Sequence, residues 1–128
     1  MENSPSTSSA PPARERWAGA TQMDKIAMLS QILAQNPQDA FARYGLAMAY
    51  ASEGDLATAI SEFDRLIADH PAYTAGYFMA AQTLVKAARL AEARARLTQG
   101  IESARRENNS HAAGEMQQLL DELEEGPE

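Results

Sequence analysis

Apolar side chains recur three and four positions apart from Thr21 to the C-terminal end of the chain. No segment shows the alternation of β-branched and polar residues that a strand needs. The pattern predicts a first helix over 21–35, with Ile26, Leu29, Ile32 and Leu33 on helical spacing and Thr21-x-x-Asp24 as a variant capping box. A second helix is expected from Gln38 to Glu53, with Asn36 as N-cap, Pro37 in the first helical position and Asp39 at the positive end of the dipole. Its apolar residues fall on two sides: Phe41, Tyr44 and Met48 cluster together, and Leu46 and Tyr50 point almost oppositely. One stripe buries against the partner helix; the other needs a second neighbour or faces an open groove.

Gly54 suits the left-handed residue that ends this helix, and Asp55 can cap the next. Ala57, Ala59 and Ala68 keep that helix narrow enough for close antiparallel packing. His70-Pro71 is expected to close it and open a fourth helix, as Asn36-Pro37 opens the second. Helices over 74–87 and 90–106 follow, with Ala88 where a turn glycine is expected and Gly100 on the face that admits a neighbour. A final amphipathic helix is expected over 110–124, carrying Met116, Leu119, Leu120 and Leu123.

The stretch from Ala40 to Tyr73 carries Leu46-Ala47, Tyr50, Gly54-Asp55, Ala59, Phe63 and Pro71. That spacing resembles the tetratricopeptide (TPR) repeat, a helix–turn–helix unit of about 34 residues. Arg43 stands where the repeat usually has Trp and Ala47 where it has Gly; Tyr77, Ala80, Ala81, Leu84, Ala93 and Leu97 give the pattern again. The resemblance implies an all-α, right-handed superhelical stack of antiparallel helix pairs, about six helices in all. It divides the chain into a Ser/Pro-rich tail over 1–16, expected to stay disordered, and one domain over 17–125. Within that domain 21–35 is a capping helix, 40–73 and 74–107 are repeats, and 108–124 is a C-terminal cap. Trp17, the only tryptophan, either packs under the first helix or enters a groove or partner surface.

In TPR proteins the first helix of each repeat lines the concave surface. The resemblance therefore places Phe41, Tyr44, Met48 and Ser52 there, continued by Ala75, Phe78, Gln82, Val85 and Lys86. The alternative is that Phe41 and Met48 pack on the first helix. Some TPR domains clamp a chaperone's C-terminal carboxylate with cationic side chains on these helices. Here the inner positions are Tyr44, Met48, Ala75, Phe78 and Met79, so the clamp is not carried over and an apolar or aromatic ligand is expected. The implied function is a protein–protein interaction module for a peptide or helix, or alternatively a homo-oligomer whose groove is filled by a second copy.

Charge and chemistry narrow this further. The net charge of −7 disfavours a nucleic-acid partner. With no cysteine there is no disulfide or thiolate chemistry. With Glu2, no basic start and no apolar run, the opening residues are not expected to act as a signal peptide. No run nears the roughly 20 apolar residues of a membrane span, so a cytoplasmic location without membrane contact is expected. His70 and His111, the only two histidines, stand at helix ends, and no phosphate loop, HExxH pattern or serine elbow appears. No enzyme, cofactor or metal site is expected. Residues 86–106 hold six basic and two acidic residues, whereas 107–128 hold seven acidic and no basic ones. The acidic end either pairs with the helix before it or meets the basic segment of another chain.

Overall fold

A computed structural model of the protein describes residues 21–125. The described residues form six helices and no strand: α1 (Gln22–Gln35), α2 (Ala40–Ser52), α3 (Leu56–Asp69), α4 (Thr74–Lys86), α5 (Leu90–Arg106) and α6 (Ser110–Glu125). Trp17 and the tail over 1–16 lie outside the described residues.

Local chemistry sets most helix ends. Thr21 and Asp24 form the reciprocal capping box of α1, each side chain accepting from the other's backbone N–H at 3.1 Å. The start of α2 departs from expectation. Asn36 is the C-cap of α1, and the N-cap is Asp39, whose carboxylate accepts from the Ala42 N–H at 2.9 Å. His70 repeats the role of Asn36 as the C-cap of α3, and α4 starts only at Thr74, with no side-chain cap on Tyr73. Proline is compatible with a first helical turn, but here each Xaa-Pro pair sits in the linker instead. The His70 ring nitrogen Nε2 lies 2.9 Å from the Gln38 carbonyl oxygen. A carbonyl only accepts, so that nitrogen carries the proton and ties the two linkers together.

α2, α4 and α5 each end on one residue of positive φ: Gly54 at 85°, Ala88 at 63° and Asn108 at 58°. In each case the next N–H reaches back to the last turn, Asp55 to Tyr50, Arg89 to Leu84 and Asn109 to Ala104. Glycine adopts this conformation freely, whereas alanine is strained there by about 1–2 kcal/mol. Glycine also gives up more freedom on folding, so Ala88→Gly is expected to stabilise by a net of about 0.5–1 kcal/mol. A thermal midpoint raised by a few degrees is the readout.

The helices pack mainly on their sequence neighbours. The largest cluster joins α2 to α6 around Ala47, Ala59, Phe63, Leu66, Tyr77, Ala81, Leu97 and Met116. Ala59 and Ala93 are fully buried, at the contacts their small size allows. Leu46 is buried with Ile26 and Leu33 of α1, so that stripe serves the junction to the preceding helix. Contact of α2 with its own repeat partner runs instead through Ala47 and Tyr44 against Phe63. Gly100 marks a close approach of helices. A Cβ built on it would stand 2.5 Å from Met116 Sδ and 2.5 Å from Tyr77 Cβ.

Candidate functional site

α4 touches both α2 and α6, so these three helices line one side of the stack, which the TPR resemblance makes the inner one, with α3 and α5 packed against them. On α2, Phe41 is 77% exposed, so it does not pack on α1. Tyr44 and Met48 are half-buried against the core, and Ser52 is exposed at the far end of the helix. Tyr44 is held on two sides. Its ring meets Phe63 edge-on with centroids 6.2 Å apart and lies tilted on Tyr73 at 5.5 Å. Such pairs add about 0.5–1.5 kcal/mol beyond area burial, so Tyr44 is as much a packing residue as a surface one.

On α4, Phe78 and Gln82 are half-buried and Lys86 is exposed, while Val85 packs toward Ile60, Leu84 and Ala93 together with Leu123 of α6. Phe78 is the hinge of the arrangement, because it lines two adjoining recesses between α4 and α6. One, of about 220 Å³, is shared with Gln82, Glu115, Leu119 and Glu122. The other, of about 140 Å³, is shared with Ala75, Ala112 and Met116. The α6 residues were not among the sequence candidates, because that helix reads as a cap. A usable signal was present: Ala112 follows Phe78 by the same interval at which Phe78 follows Tyr44, so the register of inner positions runs on into α6.

The roles of two repeat-position side chains escaped the sequence reading. Arg43 is only 6% exposed. Its guanidinium donates to Glu62 Oε1 of α3 at 2.6 Å and to the Pro37 carbonyl at 3.2 Å. One repeat later Tyr77 stands in its place and donates its hydroxyl to the Pro71 carbonyl at 2.8 Å, where Ser103 also donates at 2.9 Å. A long polar residue at this position thus ties each linker to its repeat.

Burial pushes the Tyr44 hydroxyl above the ordinary value of 10.0, and burial, then Tyr44, then Asp39 push Tyr73 the same way. Raised folded values favour the protonated native state. That contribution is complete below about pH 10 and is lost as the pH climbs through the folded values. Tyr44→Phe is therefore expected to flatten part of the fall in stability in urea titrations taken above pH 10.

No ion pair links α5 to α6 among the described residues, and no grouping of acidic and histidine side chains there could hold a metal. No described helix is long and apolar enough to cross a membrane.

A family model described as tetratricopeptide repeat matches residues 50–120. The chain belongs to the tetratricopeptide repeat family. A TPR repeat-containing protein of Pseudomonas aeruginosa is 30% identical over 96 residues, covering 75% of this chain and 91% of that protein. The solution structure of a TPR domain protein from Salinibacter ruber shares 27% identity with a TM-score of 0.68, over 72% of this chain and 93% of that one. The TPR2B-domain:pHsp70 complex of yeast Sti1 superposes with a TM-score of 0.78 at 20% identity, over 88% of this chain and 90% of that one. Six helices in antiparallel neighbour packing are thus a TPR stack, an architecture that generally mediates protein–protein interaction and is typically not enzymatic. Within the TPR register, α6 takes the place of the first helix of a further unit.

Proposed function

We propose that this protein, read as one domain over 17–125 behind a tail, is an interaction module. It receives a peptide or helix of a partner protein along the apolar inner face of α2, α4 and α6. The observation that carries the reading is Phe41. An aromatic ring 77% exposed on the same stripe as Tyr44 and Met48, and followed along the stack by the recesses around Phe78, is costly to keep in water and is typical of contact surfaces. Ser52, Gln82, Val85 and Lys86 extend that face at its far side. The absence of a cationic cluster on the inner stripe supports a ligand held by apolar contact rather than a clamped carboxylate. The Sti1 domain solved with pHsp70 agrees with a protein or peptide as the class of ligand.

A second reading has its own support. Met23 at 63%, Ile32 at 40% and Phe41 at 77% exposure all belong to α1 and α2, the first two helices of the stack. A second copy of the chain seated there would cover them and leave a homo-oligomer.

A photo-reactive phenylalanine analogue at position 41, compared with one at Ala57 on the outer helix α3, separates these readings in cells. A distinct cross-linked protein at 41 and none at 57 is expected, followed by at least a tenfold loss of that partner's affinity in Phe41→Ala, about 1.4 kcal/mol. A cross-linked band at twice the chain's own mass favours the second reading. Equal labelling at both positions removes the inner face from consideration.

A further inference from the structure

Carboxylates outnumber cations on α2, α4 and α6, whereas on α3 and α5 Glu62, Asp64, Asp69, Glu92 and Glu102 balance the arginines. The charged residues of α2 and α4 are Arg43, which is committed to Glu62, and Lys86 at the last position of α4. α6 carries Glu115, Asp121, Glu122, Glu124 and Glu125 and no lysine or arginine. The other helical arginines belong to α3 and α5: Arg65, Arg94, Arg96, Arg105 and Arg106. Glu115 and Glu122 share the Phe78 recess with Leu119. They stand two helical turns apart on α6, about 10 Å along its axis. Among the described residues the Glu115 carboxylate has the exposed ring of His111 as its ion-pair neighbour, at 3.4 Å. The recess therefore sets Phe78 and Leu119 beside the two carboxylates and the amides of Gln82 and Gln118.

Resting on the groove reading above, we propose that the partner segment is cationic and amphipathic. It would place an apolar side chain against Phe78 and Leu119 and lysines or arginines, about 10 Å apart, beside Glu115 and Glu122. Two other occupants fit less well. The basic helix α5 of a second copy offers cations, but its apolar residues Ala93, Leu97, Ile101 and Ala104 are already buried, and only Leu90 at its first turn is an exposed large apolar residue. The chain's own terminus carries Arg14, Arg16 and Trp17, which match the chemistry but join the stack at α1, the opposite end from α6.

Three short amphipathic probe peptides test this on the full chain by fluorescence anisotropy: leucine with lysine, leucine with glutamate and leucine with glutamine. The lysine peptide is expected to bind most tightly and to weaken as salt is raised. Glu115→Gln with Glu122→Gln should reduce its affinity by about fivefold or more, with the helical circular dichroism unchanged. Glu102→Gln with Glu107→Gln, an equal change of charge on α5 and at its end, should leave it nearly intact. Equal losses in the two pairs overturn the inference in favour of diffuse attraction to an acidic protein. Equal binding of the glutamine peptide overturns the cationic requirement and leaves the apolar groove standing. If no peptide binds, the inference falls, and the cross-linking contrast at Phe41 still decides the groove by itself. If the lysine peptide binds only after Arg14→Gln with Trp17→Ala, the occupant is the chain's own terminus. If the wild-type chain elutes as a dimer that Glu115→Gln with Glu122→Gln dissociates, the occupant is a second copy. Either of these results overturns the separate partner.

Discussion

Gly100→Ala is expected to lower the thermal midpoint by about 10 °C. One methyl group would enter α5 2.5 Å from the Tyr77 Cβ and 2.5 Å from Met116 Sδ, both in buried side chains. The thioether can swing aside, but Tyr77 Cβ is fixed to the backbone of α4, so two helices must separate. Overpacking of this kind costs about 3 kcal/mol. Alanine's better helix propensity returns about 1 kcal/mol, and the remaining 2 kcal/mol gives the stated shift for a domain of this size. Gly114→Ala is the internal control, because nothing stands within 4 Å of a Cβ there. The same chemical change on α6 should raise the midpoint. Two changes of like sign would mean that the approach of α4, α5 and α6 is looser than the structure has it.

Glu62→Ala is expected to cost about 2–3 kcal/mol in urea denaturation. It leaves Arg43, 6% exposed, with the Pro37 carbonyl as its remaining partner among the described residues. Removing one member of a fully buried pair typically costs about 3–5 kcal/mol. The lower figure is set by Glu62, whose side chain keeps 22% of its surface in water. Replacing both residues by methionine should recover most of the loss, because the uncompensated charge leaves with its partner. A double variant as unstable as the single one would show that packing, rather than charge, holds this position.

Those two sites mark how far the sequence could be read. The repeat, the six helices and the narrow contacts at Ala59, Ala93 and Gly100 follow from local spacing and side-chain size. The strained turn at Ala88 was visible because glycine holds the equivalent place at 54. Arg43 was visible as a departure from the repeat, but its partner Glu62 lies 19 positions away on another helix, and helical periodicity does not record which neighbour a charge meets. The two stripes of α2 were likewise legible as stripes. Their destinations were not, because either face of an inner helix can accept a neighbour. Tyr44 shows the consequence: it lies on the inner stripe, yet Phe63 and Tyr73 engage its ring. α6 read as a cap because it is the final amphipathic helix, which concealed the recess that its own register builds with Phe78.

The neighbour-only packing of the helices bears on how the stack comes apart. Among the described residues α1 touches no helix but α2, and α6 touches α5 and, slightly, α4. Losing α1 therefore leaves α3 to α6 undisturbed, and unfolding can proceed stepwise from either end, as along a zipper. Amide hydrogen exchange should accordingly be fast in both end helices, α1 with Ile26 and Leu33 buried and α6 with Met116, and slowest around Phe63, Tyr77 and Leu97. Exposed Phe41 then stands beside one of the two loosely held helices, so the N-terminal end of the inner face can widen without disturbing the core at the other.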